Sequence, residues 1–215
     1  MIFAMGPRAV LLPLAKVAGE DVRHAHGWAL AEKHAAGLEA LLAPSLQSPN
    51  GVAAVVDLDG FESMSASYVK RILVWLLIAG ERSAVGPKGV AEGPPAMNVY
   101  PVIINAAPDV REEVSIVLEH SNRTCFEALE FDGTAIRRAR LVGKIDKNLT
   151  ETLLRVLSAK EASAPMFHER FPDEQIGVTA WNNRLNELYA RRLVWRDKRV
   201  RQFVFRPFVE EVLDG

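Results

Sequence analysis

The last third of the chain places three short amphipathic segments directly before a basic, alternating stretch. The segments are LTETLLRVLSAK, SAPMFHERF and VTAWNNRLNELYARRL, and VWRDKRVRQFVFRPF follows them. Apolar residues at helical spacing predict three helices, and apolar residues that alternate with basic ones predict a two-stranded hairpin. A chain in this order has to pack three helices on one another and present a basic hairpin at their edge.

The third of these helices is predicted to have one apolar and one polar side. The apolar side contains Val178, Trp181, Leu185, Leu188, Tyr189 and Leu193. The polar side contains Thr179, Asn182, Asn183 and Arg184. Asn can pair with adenine, and Arg with guanine or a phosphate. Thr179 is also a candidate N-cap, which would bring the positive end of the helix dipole to the same edge. The polar side is therefore a candidate DNA-contacting surface.

The basic stretch is predicted to form a hairpin that turns near Asp197 and Lys198. Its apolar residues Val200, Phe203 and Phe205 alternate with Arg196, Lys198, Arg199, Arg201 and Arg206. Between Arg184 and Arg206 there are eight Lys or Arg against two acidic residues, whereas the whole chain has a formal charge of −1. This concentration indicates a polyanionic partner, with double-stranded DNA as the leading candidate. The alternative is an ordinary solvated face.

The segment from Asp146 to Pro207 resembles the winged helices of the MarR type and of related small transcription regulators. The resemblance lies in Arg184-Leu185-Asn186-Glu187-Leu188 and in the pair Leu193-Val194 before the hairpin. Arg192 departs from the pattern, because such sequences often have Gly at this helix end. The resemblance implies a winged helix-turn-helix domain that binds duplex DNA through Arg196, Lys198, Arg199 and Arg201 on the wing.

The distribution of charge predicts two domains, residues 1–143 and residues 144–215. Residues 1–143 sum to about −3, residues 144–208 to about +5 and the tail after Phe208 to −3. The helical pattern also restarts at Leu149. We expect a boundary near Gly143 to Lys147, with a part on each side that folds separately.

The first part is predicted to alternate strands and helices, which indicates an α/β sheet. The predicted strands are Val10 to Val17, GVAAVVDLDG, NVYPVIINAA, CFEALEF and RRARLV. The predicted helices are Asp21 to Leu42, Tyr68 to Ala79 and Asp109 to Glu119, and Gly80 to Met97 is predicted to be a loop or flap.

The middle of this part resembles the STAS fold of anti-sigma-factor antagonists, and more closely the STAS-like domain of bacterial regulators. The resemblance covers roughly residues 50–120 and lies in VVDLDGFESMSASYVKRIL and VIINAAPDVREEVSIVL. Asp57 and Asp59 fall in the first motif of the antagonists, while Ala66 stands where their phosphoserine usually lies. Ser65 and Ser67 are candidate regulatory residues, which we expect to act as helix caps rather than as phosphorylation sites. The resemblance implies dimerisation, a protein partner or signal sensing.

No set of residues with the pattern of an enzyme or metal site is found in the sequence. His24, His26 and His34 fall in the predicted helix, where residues two apart face opposite ways, so we expect solvated histidines and no metal. Asp57 and Asp59 are expected to satisfy loop amides. Cys125 has no convincing catalytic partner and is expected to be buried. No phosphate-binding Gly loop is present, so we predict no cofactor and no enzyme.

Two further features bear on the compartment. A lone cysteine excludes an intramolecular disulfide and fits a cytoplasmic protein. The N-terminal residues lack the pattern of a signal peptide, and the most apolar run, Ile72 to Ala79, is too short for a membrane span. The sequence therefore predicts a DNA-binding transcriptional regulator with no membrane partner, which would dimerise or receive a signal through its first domain. The alternative is a protein-interaction adaptor that does not bind DNA.

Overall fold

The computed structural model describes residues 6–19, 22–82, 98–199 and 202–213 and shows a mixed α/β fold. Its strands are β1 Arg8–Pro13, β2 His24–Ala25, β3 Val52–Asp57, β4 Ser63–Met64, β5 Val99–Ile104, β6 Thr124–Phe131, β7 Ile136–Gly143, β8 Trp195–Arg199, β9 Gln202–Arg206 and β10 Val209–Leu213. Its helices are α1 Leu14–Ala18, α2 Trp28–Leu42, α3 Ala66–Val69, α4 Trp75–Arg82, α5 Pro108–His120, α6 Lys147–Ala159, α7 Ala164–Arg170 and α8 Val178–Ala190. A π-helical stretch, Lys70–Val74, joins α3 to α4.

The central sheet has six strands in the order β1-β3-β5-β6-β7-β10. Neighbouring strands are parallel except for β6 and β7, which form an antiparallel pair. Two small sheets lie outside it, the parallel pair β2-β4 and the antiparallel pair β8-β9. The predicted α/β class is confirmed at this level.

The interior strand β3 is buried on both faces. Val52, Ala54 and Val56 belong to a core formed with α1 to α5. Ala53 and Val55 belong to a second core formed with α6 to α8 and the hairpin β8-β9. A strand covered on both faces is expected to be apolar at every position, and this accounts for the uninterrupted run VAAVV.

The handedness of strand crossovers explains why the last three helices lie on the second face. The strands from β1 to β6 are added in one direction across the sheet, and their connecting helices cover the first face. The direction of the strands reverses at β7, because β7 is antiparallel to β6. A right-handed connection from β7 to its parallel neighbour β10 must then cross the opposite face. The helices α6, α7 and α8 occupy that connection.

The predicted boundary between residues 143 and 144 falls between β7 and α6, and the residues on its two sides share one sheet and one core. β10, which the sequence did not predict, pairs in parallel with β7. Phe126 and Ala139 of the sheet lie in the same buried cluster as Leu153, Leu185 and Phe205. The change in charge at this point therefore reflects a different surface composition on its two sides, and one hydrophobic core extends across it.

The N-terminal elements differ from those predicted. The first strand ends at Pro13 instead of continuing to Val17, and α1 begins at Leu14. The helix predicted from Asp21 begins only at Trp28, because Gly27 at its N-cap has a φ of 85° and interrupts the helical conformation. His24 consequently lies on strand β2. The predicted loop covers Gly80 to Met97, and its residues 83–97 lie outside the described residues, whereas α4 extends to Arg82.

Two ionisable groups on β6 are buried. Cys125 is buried as predicted, and burial raises the pKa of its thiol to about 12, with Glu127 raising it further. The carboxylate of Glu127 is itself buried and accepts hydrogen bonds from Nε of Arg111 on α5 (2.9 Å) and Nε of Arg140 on β7 (2.7 Å). Two guanidinium partners compensate this buried charge and tie α5 to the sheet.

His34 is buried, and the prediction that it lies on a solvated helix face is wrong. Its Nδ1 lies 2.6 Å from the hydroxyl of Tyr68. Burial lowers the pKa of His34, and the charge of Lys33 lowers it further. The unfolded chain therefore binds a proton at this side chain more readily than the folded chain does.

We expect His34 to make the protein less stable as the pH falls below about 6.5, the usual pKa of histidine. The stabilisation from a neutral His34 is present above that pH and is lost below it, because only the unfolded state gains the proton. Urea unfolding at pH 7.5 and pH 5.5 measures the loss. The variant His34→Gln should lose less stability between the two pH values than the wild type, whereas the exposed-site control His120→Gln should match the wild type. Equal losses in all three proteins would contradict this assignment.

We also expect residues 1–143 to fail to fold when they are expressed alone. Without residues 144–215, the second face of the sheet would expose a contiguous apolar surface that includes Val55, Val102 and Phe126. Thermal unfolding followed by circular dichroism should show no cooperative transition for this fragment. Co-expression with residues 144–215 should restore the transition. A fragment 1–143 that unfolds cooperatively at the midpoint of the full chain would show that the second core is not needed.

Candidate nucleic-acid interface

The helix α8 begins earlier than the sequence indicated. Its N-cap is Gly177, with φ −70° and ψ 160°, and Val178 is the first helical residue. Thr179 therefore lies inside the first turn, and its predicted role as N-cap is wrong. Thr179 is exposed, so its hydroxyl lies on the accessible surface beside the helix N-terminus.

The apolar side of α8 packs against the second core as predicted, with one exception. Trp181, Leu185, Leu188 and Tyr189 are buried in the cluster that includes the sheet. Val178 is 40% exposed, because the helix starts here and the core lies beneath the following turns. The burial of the other four fixes which side of α8 faces solvent.

The end of α8 explains the residue that departs from the winged-helix pattern. Arg192 has a φ of 62°, the left-handed conformation in which glycine is favoured. The Arg192 N–H donates to the carbonyl of Tyr189 (3.0 Å), and the Leu193 N–H donates to that of Leu188 (3.0 Å). These are the two bonds of a Schellman motif. The chain thus leaves α8 as it would with glycine at this position, while the buried Arg192 guanidinium lies 5.7 Å from the centroid of the Tyr100 ring.

The two asparagines on the solvent side of α8 differ in their hydrogen bonding. Asn182 is engaged, since Asn186 Nδ2 donates to its carbonyl oxygen (2.8 Å) and to its Oδ1 (3.1 Å). Asn183 is exposed one position further round the helix. The guanidinium of Arg184 lies 5.4 Å from the centroid of the Trp181 ring and is half-buried. Within this group, Asn183 is the side chain most accessible to an external hydrogen-bonding partner.

Arg196 on β8 joins the hairpin to α8. Its guanidinium lies between two rings, 4.0 Å from the centroid of Tyr189 and 4.2 Å from that of Phe203. Its Nη1 donates to Oδ1 of Asn186 (2.8 Å). Stacking between two rings and a hydrogen bond to the helix fix this arginine in place. Arg196 therefore sets the position of the hairpin relative to α8 and is less free to reach a ligand than the sequence suggested.

The hairpin turns later in the chain than predicted. Asp197 and Lys198 lie within β8, and the register still pairs Arg199 with Gln202, so the turn follows Arg199. Arg201, a predicted DNA-binding residue, lies outside the described residues. Lys198 and Arg199 are both exposed near the end of the hairpin.

Glu161, which the sequence did not single out, neutralises part of the basic hairpin. One of its carboxylate oxygens lies 3.1 Å from Nη1 of Arg199, and the other lies 2.7 Å from Nη2 of Arg206. Glu161 precedes Ala162, which forms an isolated antiparallel bridge with Phe205 of β9. Only this long-range pairing brings Glu161 to the hairpin, and no local sequence signal indicates it. Lys198 forms no ion pair with any other described residue.

The candidate regulatory serines lie at the start of α3. Ser65 is the N-cap, and its Oγ accepts from the N–H of Tyr68 (3.4 Å) and from the N–H of Gly27 (3.1 Å). Ser67 lies in the first turn, with its Oγ 3.1 Å from that of Ser65. The prediction of a capping serine is confirmed for Ser65 and wrong for Ser67. Asp57 also acts as expected of a turn residue, because its Oδ1 accepts from the Asp59 N–H (3.1 Å).

Comparisons with protein-family models, with curated proteins and with solved structures find no match to this chain. Within the described residues, no helix is long and apolar enough to cross a membrane. In the same part of the chain, no group of three or more His, Cys, Asp or Glu side chains is arranged to hold a metal ion.

We expect the two serines to differ in their contribution to stability. Replacing Ser65 with Ala removes the N-cap and leaves the Gly27 N–H without its partner, so the free energy of unfolding should fall by about 1 kcal/mol or more. Ser67→Ala is the matched control and should change it by less than about 0.5 kcal/mol. Urea unfolding at neutral pH measures both. A larger loss for Ser67→Ala than for Ser65→Ala would contradict the capping assignment.

Proposed function

We propose that the protein is a DNA-binding transcriptional regulator in which residues 144–215 act as a winged helix on duplex DNA. In this proposal the N-terminal part is STAS-like and serves for dimerisation, for a protein partner or for sensing a signal. The observation that carries the proposal is the coupling of two surfaces by Arg196. Its contacts join the polar side of α8 to the basic hairpin, so that both can meet one ligand.

The order and pairing of the C-terminal elements support the winged-helix assignment. Three helices, α6, α7 and α8, precede the antiparallel hairpin β8-β9. Ala162, in the connection between α6 and α7, exchanges two backbone hydrogen bonds of 2.8 Å with Phe205 of the hairpin. In a winged helix the third helix enters the major groove, and the hairpin lies beside it. In this assignment, α8 is the recognition helix.

The structure suggests different roles for the predicted DNA-binding residues. Asn183 and Thr179 are exposed on α8 and are assigned to base edges. Lys198 and Arg184 have no carboxylate partner among the described residues and are assigned to phosphates. Arg199 would have to exchange Glu161 for a phosphate, which reduces its net contribution. Asn182 and Arg196 are assigned to positioning, because both are held by Asn186.

A second candidate function is a protein-interaction adaptor, and two observations favour it. Glu161 already neutralises Arg199 and Arg206, so the hairpin carries less free positive charge than its sequence suggests. Phe203 is also 40% exposed on the hairpin, which is more typical of a protein-binding surface than of a phosphate-binding one. The two functions differ in the salt dependence of binding.

Duplex binding by the full chain should weaken as the salt concentration rises. Fluorescence anisotropy with a duplex selected from a random pool gives log K against log salt, and each neutralised phosphate contributes about −0.9 to the slope. Lys198→Ala should reduce the magnitude of the slope by about 0.9, with similar effects on selected and random duplex. Asn183→Ala should cost about 1–3 kcal/mol on the selected duplex and little on random duplex.

Lys147→Ala is the control for charge, since this exposed lysine lies at the start of α6 and is not among the residues assigned to DNA. It should leave both affinity and slope unchanged. Absence of duplex binding at low salt, or binding that does not depend on salt, would reject the nucleic-acid proposal and leave the adaptor. An equal effect of Lys147→Ala and Lys198→Ala would show that the binding is nonspecific attraction to positive charge.

A further inference from the structure

The small sheet β2-β4 brings two histidines to one side of an extended segment. His24 lies on β2 and His26 follows it directly, with the buried Ala25 between them. Both histidines are exposed. On a helix, as the sequence predicted, these two histidines would face opposite ways. In an extended chain, residues two apart point to the same side, so His24 and His26 can contribute to one site.

The two imidazole rings converge on one oxygen atom. Nδ1 of His24 lies 3.0 Å from Oγ of Ser63, and Nε2 of His26 lies 3.2 Å from the same Oγ. The ring centroids are 6.3 Å apart, with an angle of 26° between the ring planes. A hydroxyl has a single proton to donate, so it can donate to only one of the two nitrogens. Nδ1 of His24 and Nε2 of His26 therefore both lie within hydrogen-bond distance of the position that Ser63 Oγ occupies.

The far side of His24 faces a carboxylate. Nε2 of His24 lies 3.8 Å from Oε2 of Glu62, whose other oxygen lies 3.1 Å from Nη1 of Arg23. A carboxylate at Nε2 favours the tautomer with its proton there, which leaves the lone pair of Nδ1 directed at Ser63. Histidines that bind metals usually have such a partner at the second ring nitrogen. At 3.8 Å the Glu62 carboxylate is beyond hydrogen-bond distance, so in this arrangement it favours the ligating tautomer of His24 through its charge.

We propose that His24 and His26 form a two-imidazole site for a divalent late transition metal such as Zn²⁺ or Cu²⁺. Neutral imidazole nitrogen is a preferred ligand of these ions, with bond lengths of about 2.0–2.1 Å for zinc. On binding, the metal replaces the hydrogen bonds that both rings make with Ser63. Water or an external ligand fills the other coordination positions. The site is separate from the surface of α8, so its test does not depend on DNA binding.

The experiment is isothermal titration of the full chain with ZnCl₂, and separately with CuCl₂, in a buffer that does not bind metals. The wild type should bind one of these ions with a dissociation constant in the micromolar range. His24→Gln and His26→Gln should each weaken binding by about tenfold or more, because each removes one of two protein ligands. Both side chains are exposed, so the variants should keep the circular dichroism spectrum of the wild type.

The control is His120→Gln, which removes an exposed histidine at the end of α5 and should leave the titration unchanged. Glu62→Gln should weaken binding by up to about tenfold, as expected for a group that orients a ligand. Absence of binding to the wild type, or equal affinity in His24→Gln, His26→Gln and His120→Gln, would overturn the proposal. Unchanged affinity in Glu62→Gln would overturn the orienting role of Glu62.

Discussion

The burial of β3 on both faces is the constraint on which the rest of the structure depends. Every residue from Val52 to Val56 is buried, so the sheet requires a cover on each side. The helices α1 to α5 supply one cover, and the C-terminal helices with the hairpin supply the other. The C-terminal helices α6 to α8 and the hairpin are therefore part of the hydrophobic core on the second face of the sheet. This role explains why Trp181, Leu185, Leu188 and Tyr189 of α8 are buried.

The same arrangement limits what the basic surface can do. Of the basic residues near α8 and the hairpin, Arg192 is buried beneath the helix end, and Arg196 is stacked between two rings. Arg199 and Arg206 share Glu161, and Arg191 lies 2.8 Å from a carboxylate oxygen of Glu187. A count of charges along the sequence treats all of these cations as available. The geometry leaves Lys198, with Arg184 on the helix, as the main unpaired cations among the described residues of α8 and the hairpin.

Much of the fold could be predicted, because its signals are local. The apolar run of β3, the periodicity of α8 and the hairpin after it each depend on residues close together in the chain, and the structure confirms all three. The start of α8 was missed because Thr179 is a good capping residue, whereas Gly177 in fact provides the cap without a side chain.

What could not be predicted depends on contacts between distant segments. β10 is a short acidic stretch with two adjacent glutamates, and only its pairing with β7 makes it a strand. Glu161 reaches the hairpin through a bridge between Ala162 and Phe205, which are distant in the sequence. His24 and His26 share a side because β2 pairs with β4 beside Ser63. The contacts of Glu161 and of the two histidines bear on candidate sites, so the sites were less predictable than the fold.

The contacts at the end of α8 bear on how a regulator of this construction could be controlled. The Tyr189 hydroxyl donates to Oδ1 of Asn98 at the start of β5 (3.4 Å), and Arg191 Nη1 donates to the carbonyls of Asn122 (3.4 Å) and Lys144 (3.2 Å). These bonds join α8 to the ends of the central strands and to the connections beside them. A hinge between two domains would need few contacts across the boundary, and here the contacts include a shared sheet and a shared core. For the proposed function, free rotation of a separate DNA-binding domain is therefore not expected. A signal received by the N-terminal part would reach α8 through a shift of the sheet against α6 to α8 and the hairpin.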